Sequence, residues 1–236
     1  MIKVSLLTLA IDVGGSTVKA ILLRDDGVAM SHKLVIATPE SPTPAKLIEV
    51  LLDLFAQHGS CDRLAIGFPS VVESGVTRGA INLHPDWDGF CLEQVLQAKT
   101  GKPIKIANDA DVQGYGAIVG QGVELVITLG TGFGSALFLN GKLLPNLELG
   151  QHIFTGHETY EDQLGQVALN QIGVESWNTR LLKAIASLYK LFNYDQLYIG
   201  GGNARLISVN LPANVAIVSN DLGLMGGLAL WKSSDS

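Results

Sequence analysis

The pattern of apolar and polar positions predicts the same succession of strands twice along the chain. In the first half, strands are predicted at residues 4–11, 18–23 and 28–36, separated by Gly14-Gly15 and by Asp25-Asp26-Gly27. In the second half, they are predicted at residues 125–129, 135–139 and 142–144, separated by residues 130–134 and by Asn140-Gly141. Short apolar runs between glycine-containing turns are typical of strands joined by tight connections. The repetition predicts an internal duplication of fold.

A helical spacing of apolar residues follows the first three strands, at Leu47, Ile48, Leu51, Leu54 and Phe55. A buried strand is expected next at residues 61–66, so the order is strand, strand, strand, helix, strand. This order differs from the alternating strands and helices of a dinucleotide-binding fold. Further predicted elements are helices at residues 90–99, 108–119, 177–192 and 221–231, and strands at residues 104–107, 197–199 and 215–218. The fold class is therefore α/β.

Composition narrows the function classes. The 236 residues are 47% hydrophobic and 16% charged, enough for one large or two small well-buried domains. The net charge of −6, without any run of Lys and Arg, argues against a nucleic-acid partner. No apolar run approaches the ~18–20 residues that cross a membrane. Cys61 and Cys91 have no metal-ligand spacing, so a reducing compartment and a cytoplasmic location are expected.

Candidate chemistry lies in the glycine turns that follow apolar runs. The first is Asp12-Val13-Gly14-Gly15-Ser16-Thr17-Val18-Lys19. Glycines let the backbone approach a ligand, and turned-in N–H groups and hydroxyls suit an anion such as phosphate. Asp12 suits a phosphate only with a divalent cation between them. The alternative is a plain Gly-Gly turn between two strands, but residues 130–134 and 200–202 repeat the arrangement.

Several segments together resemble the ROK family of repressors and sugar kinases, and within it the polyphosphate glucokinase branch. They occur in the family order and span nearly the whole chain: Ala10-Ile-Asp-Val-Gly-Gly-Ser-Thr-Val-Lys19, Ile66-Gly-Phe-Pro-Ser70, Ala80-Ile-Asn-Leu83, Ala107-Asn-Asp-Ala110, Thr128-Leu-Gly-Thr-Gly-Phe-Gly-Ser-Ala-Leu137, Leu144-Pro-Asn-Leu-Glu-Leu-Gly150 and Tyr198-Ile-Gly-Gly-Gly-Asn203. The resemblance implies two actin-like (RNase H-like) lobes with a central cleft. Residues 1–107 plus 222–236 would form the N-terminal lobe, and residues 108–221 the C-terminal lobe.

The resemblance also implies an activity. It is phosphoryl transfer from polyphosphate or ATP to glucose, giving glucose 6-phosphate, with Mg²⁺ as cofactor and a homodimer as the assembly. Many ROK kinases carry a cysteine-rich zinc loop, but no cysteine follows Cys91, so no structural zinc is expected. Two alternatives stay open: a non-catalytic ROK-like sugar-binding regulator, and a kinase for another hexose such as mannose or an amino sugar.

By resemblance, Asp109 is the catalytic base that accepts the proton of the attacking sugar hydroxyl. The alternative is a helix N-cap. Asn108 and Asn82 match family sugar contacts, although Asn82 could equally form a loop turn. Ser70 stands where the family usually has Gly, beside the sugar.

The other sugar-binding residues come from the second half. Glu148 matches the first Glu of the family motif Glu-x-Gly-His, where a carboxylate accepts two hydroxyls. The family His falls on Gln151, and His152 follows it directly. Glu161 is the candidate for a second sugar-binding Glu. The departure at Gln151 leaves the identity of the sugar open.

The donor site is expected to have two walls. Asp12 would order a Mg²⁺-bound phosphate, directly or through water. Lys19 would join it, or else be an ordinary edge-strand lysine. The walls would be formed by Gly14, Gly15, Ser16 and Thr17 on one side and by Gly130, Thr131 and Gly132 on the other. Gly201 and Gly202 would lie beside the nucleotide or the more distant polyphosphate units.

Overall fold

The computed structural model describes residues 5–79 and 83–232, and the chain divides into two compact units. The first unit comprises the described residues up to Gly116 and from Gly223 onward, and the second comprises Ala117–Leu222. The cleft expected between two lobes stays a prediction.

The first unit is built around a five-stranded mixed sheet in the order β3-β2-β1-β4-β7. Strands β1, β2 and β3 are antiparallel, whereas β4 and β7 run parallel to β1. In chain order the elements are β1 (Leu7–Val13), β2 (Thr17–Arg24), β3 (Leu34–Ala37), α1 (Pro44–Gln57), β4 (Arg63–Phe68), β5 (Val71–Glu73), β6 (Val76–Arg78), a 3-10 helix (Pro85–Trp87), α2 (Leu92–Thr100), β7 (Ile104–Asn108) and α3 (Asp109–Ala117).

The core of this unit follows from the burial of the central strands. β1 and β4 lie in the middle of the sheet and are apolar on both faces. Helix α1 begins where Thr43 accepts a hydrogen bond from the Lys46 N–H, and it buries Leu47, Leu51 and Leu54. The fully buried Trp87 packs on Phe68, with ring centroids 4.7 Å apart. The carboxyl end of β4, which is Phe68, is thereby packed into the core.

The second unit repeats the strand order. Its sheet reads β10-β9-β8-β13-β14, with β8, β9 and β10 antiparallel and β13 and β14 parallel to β8. The elements are β8 (Val123–Leu129), β9 (Phe133–Leu139), β10 (Lys142–Leu144), a 3-10 helix (Leu149–Gln151), β11 (Ile153–Thr155), β12 (Glu158–Thr159), α4 (Tyr160–Leu164), α5 (Gln166–Phe192), β13 (Gln196–Gly200), a 3-10 helix (Gly202–Leu206) and β14 (Val215–Ile217). The predicted duplication of fold is confirmed, as is the α/β class.

Two predicted elements were wrong in extent. The strand expected at residues 28–36 is limited to β3 because the chain before it makes only an isolated bridge between Leu23 and Ala29. The helix expected from residue 177 begins at Gln166 and is kinked at Gly173, where φ is 77°. Before the kink the helix buries only Ala168 and Leu169, which leaves little apolar periodicity to detect.

The chain returns to the first unit in its last helix, α6 (Leu222–Lys232). A Cβ at Gly226 would lie 1.8 Å from the carbonyl oxygen of Val112, so α6 and α3 touch backbone to backbone. This contact places α3 in the first unit, whereas the predicted lobe boundary lay before it, after residue 107. Within the residues the structure describes, none of the helices has the length and apolar character needed to span a bilayer.

Candidate active site

Asp12 lies near the carboxyl end of β1, opposite Lys19 on β2 and beside Gly67 on β4. Its Oδ2 is 3.4 Å from the Lys19 Nζ, and the two side chains are 21% and 25% exposed. Burial raises the pKa of the Asp12 carboxyl, and the charge and hydrogen bond of Lys19 partly oppose that rise. Asp12 is therefore a desolvated carboxylate that Lys19 compensates only in part.

The turn after β1 is held by Thr38, which follows β3. The Thr38 hydroxyl donates to the Gly14 carbonyl oxygen at 2.7 Å, and its backbone N–H donates to the Ser16 carbonyl at 3.0 Å. Gly14 also donates its N–H to the Thr17 carbonyl. Gly15 and Ser16 are exposed at the tip of this turn, where a ligand can reach them.

Asn108 and Asp109 lie where β7 passes directly into α3. The Asn108 Oδ1 accepts from the N–H groups of Ala110 (2.9 Å) and Asp111 (3.4 Å), so Asn108 is the helix cap. Its Nδ2 donates to the Ser70 carbonyl at 3.2 Å. Asp109 is half-buried as the first helical residue, and its Oδ1 accepts from the Ala110 N–H at 2.8 Å. The capping role that was the alternative for Asp109 thus belongs to its neighbour.

Ser70 is buried and its hydroxyl donates to the Val71 carbonyl at 3.1 Å. Together with the bond from Asn108, this fixes the backbone after β4 against the start of α3. A Cβ at Gly67 would lie 3.4 Å from the Asp109 Cα, so β4 passes close to the candidate base. The structure therefore brings Ser70, Asn108 and Asp109 together. Asn82 lies outside the described residues.

The turn between β8 and β9 is the counterpart of the first in the second unit. The Gly130 N–H donates to the Gly132 carbonyl at 3.1 Å. The Gly130 carbonyl accepts from the Asn203 Nδ2 at 3.2 Å, and the Thr131 carbonyl accepts from the Gln166 N–H at 3.2 Å. Thr131 is exposed at the tip. In both units, two carbonyl groups of the glycine turn are thus bonded to residues outside the turn.

The fold requires glycine at some positions of these turns but not at others. A Cβ at Gly201, where φ is +90°, would lie 2.2 Å from the Leu129 carbonyl oxygen, so the fold itself requires glycine there. At Gly130 and at Gly202 an added Cβ would meet nothing within 4 Å. The fold alone therefore does not require glycine at these two positions. A ligand bound close to the backbone would require it, because a side chain would occupy the space of the ligand.

The segment carrying Glu148 is tied to β9. The Ser135 hydroxyl donates to the Leu147 carbonyl at 2.5 Å and accepts from the Leu149 N–H at 3.1 Å. At Gly150 a Cβ would lie 2.3 Å from the Phe133 carbonyl oxygen. Both contacts hold the backbone on either side of Glu148 while leaving the residue itself exposed.

Glu161 and Glu148 influence each other electrostatically. The Glu161 Oε2 accepts from the Phe133 N–H at 3.1 Å, directly after the Gly130–Gly132 turn. Although Glu148 is exposed as a whole residue, partial desolvation of its carboxyl and then the Glu161 charge raise the pKa of Glu148. Hydroxyl groups that donate hydrogen bonds to both carboxylates would stabilise their charged forms against this mutual repulsion, and a sugar supplies such hydroxyl groups.

Gln151 and His152 are exposed at the end of the short 3-10 helix. The Gln151 N–H donates to the Glu148 carbonyl at 3.2 Å, and the His152 N–H donates to the Leu149 carbonyl at 3.0 Å. The His152 ring lies 6.4 Å from that of Tyr160. Both side chains are accessible, so neither assignment of the family histidine position is excluded by burial.

A Mg²⁺ ion is compatible with the residues around Asp12. Mg²⁺ usually keeps several waters and binds through one or two carboxylates plus substrate phosphates. The described residues contain no group of three or more His, Cys, Asp or Glu that could hold a metal by themselves. Asp12 offers one carboxylate, whose charge Lys19 compensates only in part, and it lies beside a turn with an exposed Ser16 hydroxyl. This matches a Mg²⁺ site with a single protein carboxylate.

Three residues that shape the turns were not assigned from the sequence: Thr38, Gln166 and Asn203. Thr38 precedes a proline-rich stretch, and Gln166 lies in a stretch rich in polar and turn residues, residues 145–173. Asn203 closes the Tyr198–Asn203 motif, which was the one available indication. Their partners are distant in sequence, so local patterns could not reveal them.

Comparison with known proteins agrees with this geometry. The model of the ROK family matches residues 8–167. The polyphosphate glucokinase of Mycobacterium tuberculosis (strain H37Rv) is 30% identical over 232 residues, covering 92% of this chain and 88% of the relative. The crystal structure of the inorganic polyphosphate/ATP-glucomannokinase from Arthrobacter sp. strain KM has a TM-score of 0.87 and 26% identity, covering 97% of this chain and 99% of that one.

A second solved structure supports the fold alone. It is a ROK family glucokinase from Streptomyces griseus in complex with glucose and AMPPNP, with a TM-score of 0.79 and 20% identity, covering 95% of this chain and 98% of that one. The duplicated strand order, the paired glycine turns and the length of the family match lead to one conclusion: this chain belongs to the ROK family.

Proposed function

We propose that this chain is a sugar kinase that transfers a phosphoryl group from polyphosphate or ATP to glucose, forming glucose 6-phosphate. The observation that carries the proposal is the similarity to polyphosphate glucokinases over 92% of the chain. It is supported by the capped Asn108–Asp109 junction and by glycine turns of like construction in both units.

Asp109 acts as the base in this proposal. Its carboxylate accepts the proton of the sugar hydroxyl as that oxygen bonds to the terminal phosphorus, and the bond from phosphorus to the bridging oxygen breaks. The Asn108 cap and the bond to the Ser70 carbonyl fix the backbone on which the carboxylate stands. Asp109 keeps a partly exposed position, which lets a substrate reach it.

The sugar is bound by Asn108, Glu148 and Glu161, with Gln151 or His152 in the place of the family histidine. A carboxylate accepts two neighbouring hydroxyl donors, and a planar amide can both donate and accept. The backbone on either side of Glu148 is held by the Ser135 hydroxyl and by the close approach of Gly150 to Phe133, so the position of this residue is fixed before the sugar binds. Less conformational entropy is then lost when the sugar binds.

The phosphoryl donor is bound by the exposed tips of the two turns, with Gly201 and Gly202 beside its more distant part. Asp12 would hold a Mg²⁺ ion, directly or through water, and the ion would supply charge neutralisation at the phosphates. Exposed Ser16 and Thr131 offer hydroxyl and N–H donors. Lys19 compensates the Asp12 charge before a ligand arrives.

The test is a coupled assay that crosses glucose, mannose and amino sugars with ATP and polyphosphate in the presence of Mg²⁺. Sugar-dependent consumption of a donor is expected for glucose. Asp109→Asn should lower kcat by a factor of about 10²–10⁴ with sugar binding retained, whereas the exposed Asp86→Asn serves as the matched control. Absence of any sugar-dependent turnover with either donor would refute the proposal.

Two alternatives are decided by the same panel. The Arthrobacter neighbour is named a glucomannokinase, which favours mannose as a further acceptor. Gln151 at the family histidine position favours a non-catalytic sugar-binding regulator instead. Calorimetric binding of a sugar without turnover would select the regulator.

Assembly and location complete the proposal. We assign the chain a homodimeric state and a cytoplasmic location. Light scattering after size-exclusion chromatography tests the first, because a dimer has twice the 25.0 kDa chain mass. Cell fractionation tests the second.

A further inference from the structure

The turn between β8 and β9 lies beyond the last paired residues of the two strands, so the hydrogen bonds between the strands do not extend into it. The β8–β9 pairing ends at Leu129 opposite Phe133. Inside the turn, the Gly130 N–H donates a hydrogen bond to the Gly132 carbonyl, which closes the loop. The carbonyl groups of Gly130 and Thr131 accept hydrogen bonds from elsewhere in the unit.

The donors are two residues, Asn203 and Gln166, and a separate bond from the Phe133 N–H to Glu161 lies directly after the turn. The Asn203 Nδ2 lies 3.2 Å from the Gly130 carbonyl oxygen and 3.0 Å from the Gln166 Oε1. The Gln166 backbone N–H donates to the Thr131 carbonyl at 3.2 Å. The two N–H groups of the Asn203 amide thus have one acceptor each, in a side chain that is 7% exposed.

Glycine at residue 165 permits this close approach. A Cβ there would lie 3.2 Å from the Thr131 carbonyl oxygen and 2.8 Å from the Glu161 carbonyl oxygen. The start of α5 can therefore come near the turn, and its first N–H reaches Thr131.

The consequence for an anion is electrostatic. Carbonyl oxygens repel phosphate, whereas N–H and hydroxyl groups attract it. The carbonyl groups of Gly130 and Thr131 accept hydrogen bonds from Asn203 and Gln166. Both carbonyl groups are therefore directed toward donors of the protein. If the Asn203 amide were absent, the Gly130 carbonyl would lose its donor and the turn could rotate.

We propose that Asn203 is a positioning residue: together with Gln166 it sets the orientation in which the Gly130–Gly132 turn binds the phosphoryl donor. The inference rests on the proposed kinase function and deepens it. Asn203 also belongs to the 3-10 helix that begins at Gly202, so it joins the turn to the Gly201–Gly202 segment. The Asn203 side chain thus links the two predicted donor elements of the second unit.

The same unit offers a matched control in Asn178. This asparagine is 1% exposed, and its Nδ2 donates to the carbonyls of Val174 and Leu206 at 2.9 and 3.0 Å. Its Oδ1 accepts from the Ser208 N–H at 3.0 Å. Asn178 is likewise buried and bonded but has no bond to the turn, so Asn178→Ala reports the effect of losing buried hydrogen bonds, one of them to the far end of the 3-10 helix that carries Asn203.

The experiment compares Asn203→Ala, Asn203→Asp and Asn178→Ala with the wild type. Loss of a hydrogen bond to a buried group of this kind corresponds to about a tenfold change. We expect KM for the donor to rise about tenfold in Asn203→Ala, with KM for glucose unchanged. Amide hydrogen exchange in the peptide containing Gly130–Phe133 should accelerate. Asn178→Ala should lower thermal stability and leave both readouts at wild-type values.

The isosteric Asn203→Asp keeps the shape and puts an oxygen against the Gly130 carbonyl and the Gln166 Oε1. It replaces the alanine variant if that variant does not fold, and it should raise the donor KM at least as much. Equal changes in donor and glucose KM, or the same exchange pattern as Asn178→Ala, would overturn the proposal. If the wild type has no kinase activity, the proposed function fails separately. Unchanged exchange in the Gly130–Phe133 peptide would then overturn the positioning role on its own.

Discussion

The hydroxyl of Thr38 donates a hydrogen bond of 2.7 Å to the carbonyl oxygen of Gly14, across 24 residues of chain. A second bond, from the Thr38 N–H to the Ser16 carbonyl, measures 3.0 Å. In the second unit, the turn between β8 and β9 is held in a similar way, because the Asn203 side chain donates a hydrogen bond to the Gly130 carbonyl. In each unit, a carbonyl oxygen of the glycine turn therefore accepts a hydrogen bond from a side chain outside the turn.

Replacing Thr38 by Val should weaken donor binding. The variant loses the hydroxyl bond to Gly14 but keeps the shape and the N–H bond to Ser16, so the turn is loosened rather than destroyed. We expect a loss of about 1 kcal/mol in unfolding free energy and a selective rise in donor KM. Thr100→Val, which removes a 2.8 Å bond to the Leu96 carbonyl and a 3.3 Å bond from the Lys102 N–H in the same unit, should cost at least as much stability without changing KM. A donor KM equal to that of Thr100→Val would contradict the assignment.

Gly201→Ala should destabilise the fold strongly. The new Cβ would lie 2.2 Å from the Leu129 carbonyl oxygen, at a φ of +90° that alanine disfavours. The expected loss is about 2–4 kcal/mol in unfolding free energy. Urea unfolding measures it, and the neighbouring Gly202→Ala, with nothing within 4 Å of its Cβ, is the control. Similar stabilities for the two variants would show that the approach to Leu129 is not rigid.

Gly130→Ala should behave in the opposite way. Open space surrounds the Cβ position, so the variant should keep its unfolding free energy within about 0.5 kcal/mol. The methyl group would instead occupy space predicted for the donor, and donor KM should rise at constant thermal stability. Kinetics combined with a melting curve distinguishes the two effects. A variant that binds donor normally would remove Gly130 from the donor site.

Sugar affinity should depend on pH through Glu148. Desolvation and the Glu161 charge raise the Glu148 pKa, so its carboxylate, the form that accepts hydroxyl donors, is lost earlier as pH falls. Affinity should therefore decline on the acid side, beginning above the usual range for Glu. In Glu161→Gln the repulsion is absent, the Glu148 pKa falls, and the decline should shift to lower pH.

Calorimetric titration of glucose across pH checks the shift. The Gln side chain can still accept the Phe133 N–H, so the backbone contact is preserved. Glu175→Gln, on an exposed position of α5, is the control. Coincident pH profiles for wild type and Glu161→Gln would argue against coupling between the two carboxylates.

Lys19→Met should cost stability in a pH-dependent way. Burial raises the Asp12 pKa and Lys19 opposes the rise, so removing Lys19 raises the pKa further. An acid with a raised pKa destabilises the folded state where it is ionised, and the penalty disappears once it is protonated. The variant should thus be less stable by roughly 1 kcal/mol at neutral pH, with a smaller deficit as pH falls through the Asp12 pKa.

Urea unfolding at several pH values measures this difference. Lys46→Met, whose ammonium group donates only to a backbone carbonyl on the surface, should show no such pH trend. A deficit that is constant with pH would mean that Lys19 contributes through packing and not through the Asp12 charge.

The sequence predicted those parts of the molecule that depend on local patterns. The apolar segments around Gly14 and Gly130 predicted the repeated succession of strands along the chain, because burial on two faces demands continuous apolar residues. The first turns of α5 were missed because Gly173 interrupts the helix and few buried residues precede it. The role of Asn203 was missed because its partners, Gly130 and Gln166, are brought near only by tertiary packing.

The contact of α6 with α3 has a consequence for how the chain can be divided. The Gly116 backbone nitrogen lies 3.1 Å from the Cβ position of Gly226, and α6 starts at Leu222, about one helical turn earlier. The exit and re-entry points of residues 117–222 are therefore near each other on the first unit. The second unit has the connectivity of an inserted module, and a short linker between residues 116 and 223 could close the first unit into an independently expressible protein.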